Sequence, residues 1–218
     1  MRNRLIHQLK LCLVTNIPGD ITPYANMVRH AVQGGVTMVQ LREKHHDRSI
    51  IKEKALFLQT LLKPMKIPLI INDYVELAAE IGADGVHIGQ QDMPVPLARR
   101  ILGKRAIIGL SIESFAELRV ANRQPELSYV TASAVFPSRT KTDCKTIWGL
   151  ENLQKLTAES VHPMTAIGGI NQGNVADIFQ AGACGVAVIG AIDQADDPYE
   201  AAQSLKNTAD PTPILLQP

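Results

Sequence analysis

Short apolar runs alternate with amphipathic stretches from one end of the chain to the other. The apolar runs are rich in β-branched residues and only four to seven residues long, which is typical of buried strands. Their apolar character on both faces predicts a parallel sheet that helices cover on its outer side. The pattern predicts strands near Leu11–Thr15, Met38–Arg42, Leu69–Asn72, Gly85–Gly89, Ile107–Ser111, Tyr129–Val135, Met164–Gly168 and Val186–Ile189.

The amphipathic stretches between these runs place apolar residues three and four positions apart, which predicts helices with one buried face. Eight strand–helix units over 218 residues give about 27 residues per unit, an ordinary βα repeat. Eight such units most simply close into a single (β/α)8 TIM barrel, and an open doubly wound α/β sheet is the alternative. Helices are predicted at Tyr24–Gln33, Ile50–Leu62, Val75–Ile81, Leu97–Leu102, Phe115–Ala121, Leu150–Leu156, Val175–Gln180 and Pro198–Leu205.

The domain organisation follows from the same pattern, because no linker or low-complexity segment divides the chain. We expect one barrel domain over residues 1–206. Residues 207–218 contain three prolines and are expected to form a loosely ordered extension.

Composition limits the kinds of partner that the protein can have. Lys and Arg number 22 against 21 Asp and Glu, so there is no broad basic surface for nucleic acid and any anion site must be local. The three cysteines lie far apart without a Cys-x-x-Cys pair, which predicts a reducing, cytoplasmic location. No segment is long enough to span a membrane, and no cleavable leader is recognisable. A homo-oligomer is compatible with these features.

The second predicted strand ends in alternating charge. Gln40, Arg42 and Lys44 share one face of an extended chain, while Leu41 and Glu43 share the other. Two cations and an amide on one face of a buried strand are costly unless an anion meets them. The alternative is an edge strand whose charges are simply solvated.

Polar residues also follow the other predicted strands. In a barrel the carboxyl ends of all strands lie on one face, where active sites are built. Cations, hydroxyls, amides and exposed glycines are typical of an anion-binding site, and glycines after strands seven and eight occupy the usual phosphate position of such barrels. The candidates here are Asn72, Ser111, Ser138, Thr140, Lys141, Gly169, Ile189 and Gly190.

Two aspartates follow neighbouring strands. Asp73 and Asp92 are 19 residues apart, which is one strand–helix unit, so they emerge side by side. Adjacent carboxylates repel unless a proton or cation lies between them, and Mg²⁺ is usually held by one or two carboxylates plus substrate phosphate. The alternative is that each aspartate caps the helix that follows it. His87 lies within an apolar strand and is more typical of a core histidine than of a catalyst.

Six short motifs link these candidates in order along the chain. They are Val39–Lys44 (VQLREK), Ile71–Asp73 (IND), Gly85–Asp92 (GVHIGQQD), Phe136–Lys141 (FPSRTK), Ala166–Ile170 (AIGGI) and Val186–Ile192 (VAVIGAI).

On these motifs the chain resembles the thiamine-phosphate synthase (thiamine-phosphate pyrophosphorylase) family from about Leu11 to Leu205. The resemblance implies a (β/α)8 barrel and a Mg²⁺-dependent transferase that joins hydroxymethylpyrimidine diphosphate to hydroxyethylthiazole phosphate through a pyrimidine cation. It implies that Asp73 and Asp92 bind Mg²⁺. The residues implied to bind the pyrimidine diphosphate are Gln40, Arg42, Lys44, Asn72, Ser111 and Lys141, of which Arg42, Lys44, Ser111 and Lys141 are the catalytic residues. Those implied to bind the thiazole phosphate are Ser138, Thr140, Gly169, Ile189 and Gly190.

The chain departs from the family pattern at four places. Ser133-Ala134 replaces Gly-Pro, Ser138 replaces a threonine, Gly190 replaces a serine, and Glu113 stands where related tautomerases carry histidine. One alternative is the related TenI-like thiazole tautomerase, whose catalytic histidine would fall at Glu113. The other is a non-catalytic barrel that binds a thiamine precursor, which the losses at Ser133-Ala134 and Gly190 would favour. Another phosphate-binding barrel, such as an isomerase, would need an acid/base pair that the strand ends do not offer.

Overall fold

Eight parallel strands close into a barrel in which each strand pairs with the next and the eighth pairs with the first. The computed structural model describes residues 2–15, 17, 21–43, 47–138 and 146–209. The predicted TIM barrel is confirmed, and the open-sheet alternative is wrong because β8 pairs with β1. The strands are β1 (Leu11–Thr15), β2 (Met38–Leu41), β3 (Leu69–Asn72), β4 (Gly85–Ile88), β5 (Ile107–Ile112), β6 (Tyr129–Ser133), β7 (Met164–Ile167) and β8 (Gly185–Val188).

Helices connect the strands and cover the outside of the barrel. Each of the eight predicted helices is present, and no helix among the described residues is both long and apolar enough to cross a bilayer. The helices in the described ranges are α1 (Arg2–Leu9), α2 (Ile21–Gly34), α3 (Arg48–Leu62), α4 (Val75–Ile81), α5 (Val95–Leu102), α6 (Phe115–Ala121), α7 (Gly149–Glu159), α8 (Val175–Gln180), α9 (Gly190–Asp193) and α10 (Pro198–Ala209).

Two of these helices were not predicted from the sequence. α1 is mostly polar and contributes Leu5 and Leu9 to the cluster inside the barrel. α9 has only four residues, too few for a helical period to show. α10 continues to Ala209, so the helix includes the first residues of the predicted extension, and residues 210–218 lie outside the described ranges.

The apolar side chains form two separate clusters. The larger lies between the sheet and the helices. The smaller lies inside the barrel and contains Leu9, Cys12, Val14, Met38, Ile70, Tyr129, Ala187 and Ile189. Several of these side chains are small, so they do not fill the carboxyl end of the barrel interior. Burial raises the pKa of the Cys12 thiol to about 12.

A buried ion pair lies on the outer side of β2, opposite the face that carries Gln40. Glu43 and Lys54 are almost inaccessible, and the Lys54 ammonium lies 3.3 Å from a Glu43 carboxylate oxygen. Both groups also bond the backbone of Ile17: its N–H donates to Glu43 at 2.6 Å, and Lys54 donates to its carbonyl at 2.7 Å. The pair therefore ties Ile17 and helix α3 to the end of β2.

We expect Lys54→Met to lower the free energy of unfolding by about 3–5 kcal/mol, because it leaves the Glu43 carboxylate buried without the Lys54 ammonium. Urea denaturation at neutral pH measures this change. The matched control is Lys155→Met, which removes the exposed pair that Lys155 makes with Glu151 and should cost about 0.5 kcal/mol or less. Equal losses in the two variants would contradict the structural importance of the buried pair.

Candidate functional site

A cavity of about 560 Å³ opens at the carboxyl end of the barrel and reaches down into its interior. Its walls come from every strand or from the residues that follow it, which is the usual placement of a TIM-barrel active site. The floor is formed by Leu9, Cys12 and Met38, and the upper wall by polar side chains and glycines.

The cavity brings together every predicted site residue that the structure describes. Lys44, Thr140 and Lys141 lie outside the described residues. The residues that line the cavity are Gln40, Arg42, Asn72, Asp73, Asp92, Ser111, Ser138, Gly169, Ile189 and Gly190.

The polar face of β2 points into this cavity. Gln40 is buried and donates from Nε2 to Oδ1 of Asn72 on the neighbouring strand at 2.8 Å, which holds the two amides side by side. Arg42 directly follows the strand and is half-buried. Its backbone N–H donates to the backbone carbonyl of Thr15 at 3.2 Å. The solvated-edge interpretation is wrong, because β2 is paired on both sides with β1 and β3.

The two aspartates line the same cavity and do not occupy helix caps. The N-cap positions of α4 and α5 are Tyr74 and Pro94, so the capping alternative is wrong. Asp92 accepts instead from the N–H of Gly89 at 2.6 Å. Asp73 has a φ of 64°, a left-handed conformation that Asp and Asn tolerate better than most residues.

The donor set is suited to a metal that shares its ligands with a substrate. No group of three or more His, Cys, Asp or Glu side chains within the described ranges could hold an ion by itself. Two carboxylates facing one cavity still leave most positions of an octahedral Mg²⁺ to water and phosphate oxygens, which is how this ion is usually bound.

Glycines shape the opposite wall, where the segments after β6 and β7 approach each other closely. Gly168 and Gly169 have φ values of 102° and 63°. A Cβ atom on Gly168 would lie 2.3 Å from Cβ of Ala134, and one on Gly169 would lie 2.6 Å from the carbonyl oxygen of Pro137. Neither position has room for a side chain, so each requires glycine. A Cβ on Gly190 would lie 3.2 Å from the side-chain amide of Gln194, which lines the cavity beside it.

Three side chains inside the barrel form a hydrogen-bonded chain that sequence reasoning largely missed. His87 Nδ1 lies 3.0 Å from the hydroxyl of Tyr129, and His87 Nε2 lies 2.9 Å from Oγ of Ser111. His87 therefore contacts a predicted site residue and does more than fill the core. Tyr129 could have been found from the alternation of Tyr129, Thr131 and Ser133, which puts three polar groups on one face of a buried strand.

Comparisons of sequence and of fold with known proteins lead to one family. Residues 11–192 match the family model described as thiamine monophosphate synthase. A thiamine-phosphate synthase of Vibrio campbellii is 43% identical over 90% of this chain and 96% of its own length, and one of Leptospira biflexa is 47% identical over 83% and 88%. The solved thiamine phosphate pyrophosphorylase of Pyrococcus furiosus superposes with a TM-score of 0.85 at 32% identity, covering 95% of this chain and 98% of that one. The chain belongs to the thiamine monophosphate synthase family.

Proposed function

We propose that this protein is a thiamine-phosphate synthase. It condenses 4-amino-2-methyl-5-hydroxymethylpyrimidine diphosphate with 4-methyl-5-(2-hydroxyethyl)thiazole phosphate to give thiamine phosphate and diphosphate. The observation that carries the proposal is the convergence of Gln40, Arg42, Asn72, Asp73 and Asp92 on one cavity, in a chain that belongs to this family.

The chemistry requires charge neutralisation and alignment more than proton transfer. The bond between the pyrimidine methylene carbon and the diphosphate oxygen breaks, and the thiazole nitrogen then bonds to that carbon with its lone pair. Because the nitrogen has no proton to lose, no general base is needed. We propose that Arg42, which lines the cavity, neutralises the leaving diphosphate together with Lys44 and Lys141. A cavity that holds both rings in contact converts the second step into an intramolecular one.

We propose that Asp73 and Asp92 hold Mg²⁺ together with oxygens of the diphosphate. The ion, when bound, offsets negative charge that builds up on the leaving group. Their carboxylates follow adjacent strands and face the same cavity as Arg42, which supports this assignment. The cytoplasmic location stays a prediction from cysteine usage.

The alternative activities have less support. A TenI-like tautomerase would carry its catalytic histidine at position 113, where this chain has Glu113. Glu113 lines the cavity, and its backbone N–H and carbonyl both form hydrogen bonds. A non-catalytic barrel that only binds a thiamine precursor has little use for two carboxylates beside an arginine.

We expect Asp73→Asn and Asp92→Asn each to lower the rate of diphosphate release by about 100-fold or more, because each removes a negative ligand of the proposed metal. The assay contains both substrates and Mg²⁺. Asparagine keeps an oxygen that can accept the Gly89 N–H and tolerates the left-handed backbone at position 73, so both variants should fold.

The matched control for these variants is Asp177→Asn, an exposed aspartate on α8 that does not line the cavity. It should retain the rate of the unaltered protein. Near-normal turnover in Asp92→Asn would remove the metal assignment. No product from folded, unaltered protein would overturn the synthase proposal itself.

We expect Gly169→Ala to raise KM for the thiazole phosphate on the order of 10-fold while changing KM for the pyrimidine diphosphate much less. The added methyl group would meet Pro137 and Phe136 and displace the wall proposed to bind the thiazole phosphate. Steady-state kinetics with each substrate varied in turn measures both constants. Gly103→Ala is the control, because Gly103 also has a positive φ of 79° but no atom within 4 Å of the added Cβ. Equal effects of the two variants on KM would contradict the assignment.

A further inference from the structure

The chain Tyr129–His87–Ser111 runs across three neighbouring strands from the barrel interior to the cavity wall. His87 is on β4, Ser111 on β5 and Tyr129 on β6. The imidazole uses both ring nitrogens, one toward each hydroxyl. Tyr129 and His87 are buried and Ser111 is half-buried, and all three residues line the cavity.

The backbone between the two rings leaves room for this contact. Gly109 lies in register between His87 on one side and Tyr129 on the other. A Cβ at position 109 would lie 2.2 Å from Cζ of the Tyr129 ring, so the ring crosses the strand only because residue 109 has no side chain. Gly109 therefore allows the phenol to reach His87.

The direction of the hydrogen bonds follows from the phenol. Burial raises the pKa of Tyr129 well above its ordinary value, so the hydroxyl keeps its proton. Among the described residues, the hydroxyl of Tyr129 has one hydrogen-bond partner, the Nδ1 atom of His87. A buried O–H without an acceptor is costly, so Tyr129 donates and Nδ1 accepts.

The tautomer of His87 then decides whether the Ser111 hydroxyl donates or accepts a hydrogen bond on its cavity side. In a neutral imidazole whose Nδ1 accepts, the proton is on Nε2. Nε2–H donates to Oγ of Ser111, and the serine's own proton is left to point into the cavity. The opposite tautomer would take the serine proton and present lone pairs to the cavity instead.

We propose that Tyr129 is a positioning residue that fixes His87 in the Nε2–H tautomer and thereby makes Ser111 a hydrogen-bond donor to the pyrimidine diphosphate. The atom that accepts is a ring nitrogen or a diphosphate oxygen, both of which carry lone pairs. This inference rests on the proposed function for the identity of the ligand. The tautomer itself is a property of the protein without substrate.

The first test is nitrogen NMR of the histidine rings at about pH 8, where an ordinary imidazole is neutral. The chain has six histidines, and the His87 signals are assigned as those lost in His87→Gln. We expect a protonated Nε2 and an unprotonated Nδ1 in the unaltered protein. Tyr129→Phe, which removes only the hydroxyl, should shift His87 toward the other tautomer or a mixture of the two.

The second test is kinetic. Tyr129→Phe should raise KM for the pyrimidine diphosphate by about 10-fold, which corresponds to the loss of about one hydrogen bond. KM for the thiazole phosphate should stay nearly unchanged. Thr131→Val is the matched control, since it removes another buried hydroxyl from the same face of β6. Thr131 bonds Thr165 at 2.7 Å rather than His87, so the His87 tautomer should persist.

Three outcomes would overturn the inference: a proton on Nδ1 of His87 in the unaltered protein, an unchanged tautomer in Tyr129→Phe, or an equal shift in Thr131→Val. Failure of the proposed function would look different. The unaltered protein would then release no diphosphate, although the His87 tautomer and its response to Tyr129→Phe would still be observed in the absence of substrate.

Discussion

Closure of eight parallel strands is the constraint on which the rest of this structure depends. A closed barrel has no edge strand, so a polar side chain that faces inward cannot reach bulk water sideways and must find a partner on a neighbouring strand. The interior of this barrel follows that rule: Gln40 bonds Asn72 across β2 and β3, and Thr131 bonds Thr165 across β6 and β7. These bonds fix the side chains that the cavity presents.

The end of β2 shows how the same constraint separates two kinds of charge. Arg42 faces the cavity, where water and an anionic substrate can meet it, and Glu43 faces the helices, where it is buried against Lys54. Because Lys54 and Glu43 also bond the backbone of Ile17, the strand end that carries Arg42 is held from the outside. A chain with a net charge of only +1 thus concentrates locally the groups proposed to bind the diphosphate.

The sequence was sufficient for the fold and for the part of the site that lies on the strand ends. Short apolar runs at regular spacing placed every strand within two residues of its observed bounds. The strand-end pattern and the six motifs named residues that line the cavity, including Gln40, Arg42 and Asp92. The strands β2, β4, β6, β7 and β8 end one or two residues earlier than predicted, because the pattern does not show where ladder pairing stops and the chain turns toward the cavity. Whether Asp73 and Asp92 cap helices depends on backbone angles that residue identity does not determine. Tyr129 was missed for a related reason: an aromatic residue in a buried strand looks like ordinary core until its hydroxyl is located beside His87.

The two halves of the proposed site differ in how they are built, and this difference bears on the departures from the family pattern. In the half proposed for the pyrimidine diphosphate, Gln40 bonds Asn72 and Ser111 bonds His87 across neighbouring strands, so replacing one member of either pair leaves its partner unsatisfied. The half proposed for the thiazole phosphate relies on backbone and on space, with Gly168 and Gly169 packed against the segment after β6. A side-chain donor lost there, as when Gly190 replaces serine, leaves the backbone amide in place and opens room beside Gln194. Side-chain donors on the thiazole-phosphate side, as at position 190, are therefore expected to vary more than the hydrogen-bonded side with Gln40, Asn72, His87 and Ser111. Gly168 and Gly169 are expected to tolerate few substitutions, because a Cβ atom at either position meets the segment after β6.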